Sequence, residues 1–258
     1  TGEGVLVINT GTSRRQGEQL RALIARTTPE PVKAVVHLNL HPDYFLGNQA
    51  FADVPRWATP VTRAGIAREA KAYEDNLFRL CGDWMSGTET LPPDCDLTPP
   101  PGTAPGAAWT WTLGTRHFEL RELSGHTASD LVLVDTASGV AFVGGLAFVD
   151  RIPTTPHADV AAWTASLARL RGQGWRQVVP SHGPVRPDDA GLAMTADYLR
   201  WLDAHLARAA RAGLDLGEVM RLPVPAPWRG WAAFSTEYLR NVTHLYPGHE
   251  RAAWTGAR

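Results

Sequence analysis

The apolar run Val5-Leu6-Val7-Ile8 stops at Asn9-Thr10-Gly11, which predicts a short strand closed by a turn. Leu20, Leu23 and Ile24 then recur on one helix face, and Lys33 to Leu38 reads as a second strand. This β-α-β opening points to an α/β domain. Ile66, Ala70, Tyr73, Leu77 and Leu80 are spaced as one face of a further helix. From Leu91 to Gly106 the pattern breaks. Pro92, Pro93, Pro99, Pro100, Pro101 and Pro105 each lack a backbone donor, so an extended loop outside the core is predicted. Strands follow: Trp109, Trp111 and Leu113 alternate, then Phe118 and Leu120, and Leu131 to Val134 and Val140 to Val143 are short buried-type runs. Val160, Trp163, Leu167 and Leu170 mark a helix, for which Thr155 is the expected cap and Pro156 the first turn. Gln177-Val178-Val179 is another strand, and helices are predicted over Leu192 to Leu206 and Phe234 to Leu245. The order implies a mixed sheet arrangement flanked by helices. No flexible linker separates two cores, so a single domain over residues 1–258 is expected, with a proline-rich loop near 91–106 and a helical part from about 187 to 258.

Composition narrows the function classes. Of 258 residues 44% are hydrophobic, enough for a packed core. The formal net charge of -1 gives no general attraction to nucleic acid or to an anionic membrane. No apolar run approaches the roughly 18 residues of a spanning helix. A small-molecule substrate of unknown identity is expected, with no nucleic-acid and no membrane partner. Cys81 and Cys95 are too few for a disulfide-dense scaffold or a four-cysteine zinc site; they leave open one disulfide or two thiols. Nine histidines keep a histidine-based metal site open. There is no P-loop, no Gly-x-Gly-x-x-Gly and no Gly-x-Ser-x-Gly elbow. Trp109, Trp111, Trp163 and Trp201 match core spacing, whereas Trp228 and Trp231, among Pro225, Pro227 and Gly230, are candidates for a cleft wall.

Four polar clusters fall at predicted strand ends, where α/β folds place ligands. They are Asn39-Leu40-His41-Pro42-Asp43-Tyr44, Gly125-His126-Thr127, Gly144-Gly145 and Ser181-His182-Gly183-Pro184. His37 reads as a hydrogen-bonded core histidine. His157, near a helix start, reads as a substrate-loop residue or a loop cap.

In order and context the clusters resemble the metallo-β-lactamase superfamily of metallohydrolases. Asn9-Thr10-Gly11 resembles its Asp-Thr-Gly turn, and His41 to Asn48 resembles its main metal loop. The stretch from Asp150 to Asp159 resembles the branch of quinoprotein relay system zinc metallohydrolases. The likeness runs from Gly4 to about Tyr246. It implies an αββα sandwich, a periplasmic location, and hydrolysis by water activated at a dinuclear zinc centre with seven protein ligands. Carried over one position at a time, His41, Asp43, His126 and His182 keep ligand-type residues. Asn39 and Tyr44 stand where the resemblance implies histidines, and Gly145 stands at the bridging aspartate.

Catalytic zinc takes at least three protein ligands, and each half-site here keeps two. Two readings follow. In one, His41, Asp43, His126 and His182 hold a single metal, with Asp43 as ligand or general base. In the other, which the ligand count favours, the pocket is a relic whose polar residues bond to each other. At most one weakly held zinc ion is then expected, or none. The protein is a hydrolase relative, or a non-catalytic binding or accessory protein of a periplasmic quinoprotein system. The superfamily also places two or more strands ahead of the Asp-Thr-Gly strand, whereas only Thr1 to Gly4 precede it here. The first strands are therefore expected to be absent, leaving a sheet edge for a partner chain or an oligomer to cover. The start at Thr1, without Met or signal peptide, is expected of a processed product or a piece of a longer chain.

Overall fold

In the computed structural model, which describes residues 2–256, β1 (Val5–Ile8) leads through α1 (Arg14–Thr27) into β2 (Val32–Val36). β1 and β2 pair in parallel, as a β-α-β unit requires. Ser13 caps α1 by accepting from the Gln16 N–H. A one-turn helix α2 (Pro42–Phe45), β3 (Arg56–Ala58) and the long α3 (Pro60–Cys81) follow. Thr59 caps α3, and Pro60 occupies its first turn. Ile66 is fully buried against Leu40, Phe45 and Leu46, with Tyr73 and Leu77 packed on that cluster. Leu80, expected on the same face, is 68% exposed and leaves the stripe.

The proline-rich segment departs from expectation. Cys95–Asp96 form β4, which adds to β3 in parallel and gives the strand order β1-β2-β3-β4. The donors are Asp94 N–H to Arg56 C=O (3.0 Å) and Leu97 N–H to Ala58 C=O (2.8 Å). Both lie between Pro93 and Pro99, where backbone donors are intact, and Leu97 is buried. Cys81 and Cys95 are both free thiols, Cys81 exposed and Cys95 half-buried.

β5 (Trp109–Leu113), β6 (Arg116–Leu123) and β7 (Asp130–Asp135) form an antiparallel meander. Arg116 forks onto the Asp135 carboxylate (2.7 and 2.6 Å) and holds it down at about 2. These elements make up the first of two compact units, which takes the chain up to Leu123 together with Ser129–Gly139.

The second unit comprises Ser124–Ala128 and the chain from Val140 onward, so the units interleave along the sequence. Here β8 (Val140–Phe148), α4 (Val160–Leu170) and β9 (Gln177–His182) are followed by α5 (Ala190–Arg211), α6 (Leu216–Met220), α7 (Ala226–Arg229), a π-helical turn (Phe234–Tyr238) and α8 (Leu239–Gly256). β8 and β9 are parallel. The cap of α4 is Asp159, whose carboxylate accepts from the Ala162 N–H, and not Thr155. Thr155 lies four residues too early and instead donates to Asn241 of α8 (2.8 Å). Asn241 also donates to the Pro153 carbonyl (2.8 Å) and the Tyr198 hydroxyl (3.0 Å), so one buried amide ties α8 to α5 and to the loop after β8. Thr195 of α5 bonds both backbone groups of Phe148 at 2.9 Å. The result is the mixed α/β fold with two sheets and accompanying helices that the sequence predicts. No helix among the described residues is long and apolar enough to cross a membrane.

Candidate functional site

In the first unit, the polar loop after β2 is organised by hydrogen bonds. Asn9 sits in the left-handed region (φ 60°), which asparagine tolerates, and its side chain accepts from the Leu38 N–H (3.1 Å). The Tyr44 carbonyl is a convergence point. It accepts from the Thr10 N–H (2.8 Å), from the Thr10 hydroxyl (3.2 Å) and from His37 Nδ1 (3.0 Å). His37 is fully buried, and burial pushes its pKa down to about 4, so the ring is neutral at ordinary pH.

Asn39 is also fully buried, and its amide is bonded at both ends. Its Oδ1 accepts from the His41 N–H (3.0 Å), and its Nδ2 donates to the buried Asp130 carboxylate (3.2 Å). His41 precedes α2, and Asp43 lies in the first turn of that helix, half-buried. The Tyr44 ring is buried. The Tyr73 phenol is pushed above its ordinary range by burial, then by the charges of Glu69 and Asp43, which places Asp43 in an acidic neighbourhood.

In the second unit, aromatic packing does the organising. Gly125 has φ 135°, and a Cβ there would lie 2.1 Å from Trp163 Cα. Only glycine allows the chain to pass this close, and it delivers His126 into a ring of aromatics. The imidazole is 4.9 Å from the Trp163 ring and 5.4 Å from Phe148. His126 Nε2 lies 3.2 Å from the Thr154 hydroxyl. The other face of the arrangement is Phe148 against His182, with ring centroids 5.4 Å apart. The His182 carbonyl accepts from the Val149 N–H (2.9 Å), and Gly183 must be glycine because a Cβ would meet the Val149 carbonyl at 2.0 Å. Gly144 and Gly145 are buried within β8.

The structure thus gathers Asn39, His41, Asp43 and Tyr44 around the start of α2, and gathers His126 and His182 around Phe148. Among the described residues, no three His, Cys, Asp or Glu side chains stand together closely enough to hold a metal ion. His157 is half-buried in the loop before α4, near enough to His244 to help depress its pKa, after burial and Arg240. Trp228 and Trp231 pack edge to face (4.8 Å) and join Tyr198 and Trp201 in an aromatic cluster. Sequence reasoning missed Asp130, Thr154 and Phe148 as organisers. Asp130 carries a faint signal, as an acid opening an otherwise apolar run.

A family model described as the metallo-beta-lactamase superfamily matches residues 1–182. Among curated proteins, a linear primary-alkylsulfatase from Pseudomonas sp. is 24% identical over 96% of this chain and 54% of its own length. The chain therefore spans about half the length of this curated relative. Among solved structures, a metallo-beta-lactamase from Pontibacter korlensis is 25% identical, with a TM-score of 0.60 over 78% of this chain and 84% of that one. A metallo-beta-lactamase from Hirschia baltica is 16% identical, with a TM-score of 0.61 over 77% of this chain and 82% of that one.

Proposed function

This chain belongs to the metallo-β-lactamase superfamily of hydrolases, and from that premise we propose that it is a hydrolase relative whose dinuclear zinc centre has eroded. The reading rests on Asn39. At a position where the resemblance implies a histidine ligand, a fully buried amide is bonded to His41 N–H on one side and to Asp130 on the other. Turning its oxygen to a metal would break the bond from the His41 N–H, at a cost of about 1 kcal/mol or more. Two further features support it. Gly145 offers no bridging carboxylate, and the ring nitrogen of His126 faces a threonine hydroxyl. His41, Asp43, His126 and His182 are the remaining ligand-type residues, with Asp43 the candidate base and His157 the candidate substrate-loop residue. Such a set supports one weakly held zinc ion at most.

The alkylsulfatase likeness suggests linear alkyl sulfates as the first substrates to try. The resemblance of the Asp150 to Asp159 stretch suggests instead an accessory role beside a periplasmic quinoprotein system. Metal analysis of the untagged protein after dialysis tests the reading. We expect less than one zinc per chain; two tightly held ions would overturn it. Asn39→His, Tyr44→His and Gly145→Asp introduced together should raise zinc stoichiometry. No gain in a variant that remains folded would show the ligand positions to be misassigned. Turnover of an alkyl sulfate that depends on Asp43 would favour the hydrolase over the accessory role.

A further inference from the structure

The second unit contains an apolar pocket remote in sequence from every metal-ligand position. Leu222, Pro223, Val224, Phe234 and Leu239 wall a cavity of about 320 Å³, with Arg229 and Ser235 as polar members of the lining. Its architecture follows from the local sequence. The capping box of Asp215 and Glu218 starts α6, whose Val219 is fully buried, and the prolines 223 and 225 keep the following chain extended until α7. After α7, Ala233 takes the left-handed conformation (φ 58°), which alanine enters rarely. From it the chain winds into the π-helical turn Phe234–Tyr238, held by the Glu237 N–H on the Ala233 carbonyl (2.8 Å). π-Helical turns are over-represented at functional sites. Phe234 and Tyr238 stack with centroids 5.4 Å apart, and both line the cavity. Leu239 is 41% exposed, so the apolar wall reaches solvent.

Arg229 is the charged residue of this lining, and no acidic group pairs with its guanidinium among the described residues. The acid on the neighbouring turn, Glu237, is engaged by Arg240 (3.3 Å). A largely apolar wall with one cation and the hydroxyls of Ser235 and Tyr238 matches an apolar tail carrying an anionic head. The volume is at the lower end of the roughly 300–1,000 Å³ of small-ligand sites, which suits one short chain and not a two-chain lipid.

We infer that this pocket binds a short single-chain amphiphile with a carboxylate or sulfate headgroup, its tail against Val224 and Phe234 and its head on Arg229. The site involves no metal-ligand position, so it and the eroded-centre reading can fail separately. Calorimetric titration of the whole protein with octyl sulfate, octanoate and octanol, each below micellar concentration, tests it. Both anions, or one of them, should bind in a single saturable event at least about tenfold more tightly than octanol. The tighter anion identifies the headgroup. Arg229→Ala should weaken the anion by about tenfold and leave octanol unchanged. Leu239→Trp, at a part-exposed position, should block all three probes while circular dichroism shows a folded chain. Absence of saturable binding by the wild-type protein would overturn the inference, as would an Arg229→Ala variant that binds the anions undiminished.

Discussion

The loop Asn39–Tyr44 of the first unit and the His126–Phe148–His182 group of the second both fall where ligands were expected, yet they are held by opposite means. In the first, polar side chains are tied to backbone groups: Asn39 to His41 N–H, and His37 and Thr10 to the Tyr44 carbonyl. In the second, two imidazoles flank one phenyl ring, and His126 Nε2 lies beside the Thr154 hydroxyl. A polar group that completes a buried network cannot be withdrawn without costing its partners a hydrogen bond. A histidine packed among rings draws part of its hold on position from that packing. On the reading proposed above, the first loop has turned ligand positions into fold-holding groups, whereas the second unit has kept histidines and lacks a carboxylate at Gly145.

The largest test of this contrast is steric. Gly125→Ala places a methyl 2.1 Å from Trp163 Cα at φ 135°. Both the clash and the backbone conformation resist relief, so a loss on the order of 4 kcal/mol is expected in urea unfolding. A loss below about 1 kcal/mol would show that packing does not fix His126 as described. The next test is electrostatic. His37 titrates near 6.5 when unfolded and is lowered to about 4 when folded, because burial opposes its charge. The unfolded chain therefore binds the extra proton between these values. The contribution to stability is fully present above about pH 6.5 and is lost as pH falls toward 4, by on the order of 3 kcal/mol. His37→Asn, which can still donate to the Tyr44 carbonyl, should flatten the stability profile in that window relative to wild type. An unchanged slope would mean that the histidine is not the neutral anchor of the loop.

Much of the fold was legible because apolar periodicity is local. β1, β2 and the meander strands follow directly from alternation or from short apolar runs. β3 was not, because Arg56–Ala58 begins with a charge. Arg56 is buried through hydrogen bonds to the nearby carbonyls of Phe51 and Val54 and an ion pair with Asp94, a partner 38 positions away that no window of sequence reveals. β4 was hidden by its flanking prolines. The same limit applies to the site. Spacing and context pick out Asn39, His41, His126 and His182, but the residue that commits the Asn39 donor, Asp130, lies 91 positions away. Thr154 was read as part of a motif, and its contact with His126 comes from the path of the loop after β8.

The smallest effects sharpen the contrast most, since they compare one hydrogen-bonded side chain from each region. Asn39→Ala removes an acceptor from a buried backbone N–H and a donor from a buried carboxylate. A loss of about 2 kcal/mol is expected from the two lost hydrogen bonds. Thr154→Val keeps the shape beside His126 and removes only the hydroxyl. Thr154 is half-buried, so water can take its place on the imidazole, and the loss should be about 1 kcal/mol or less. Chemical denaturation of the two variants under one set of conditions gives the ranking. If Thr154→Val proved the costlier, His126 would depend on its hydrogen bond more than on Trp163 and Phe148, and the two regions would differ in residue type but not in how they are held. If the ranking stands, zinc added to Thr154→Val tests the proposed erosion. If a missing carboxylate at position 145 is what limits metal binding, as proposed, a ring nitrogen relieved of its hydroxyl should take up metal no better than wild type.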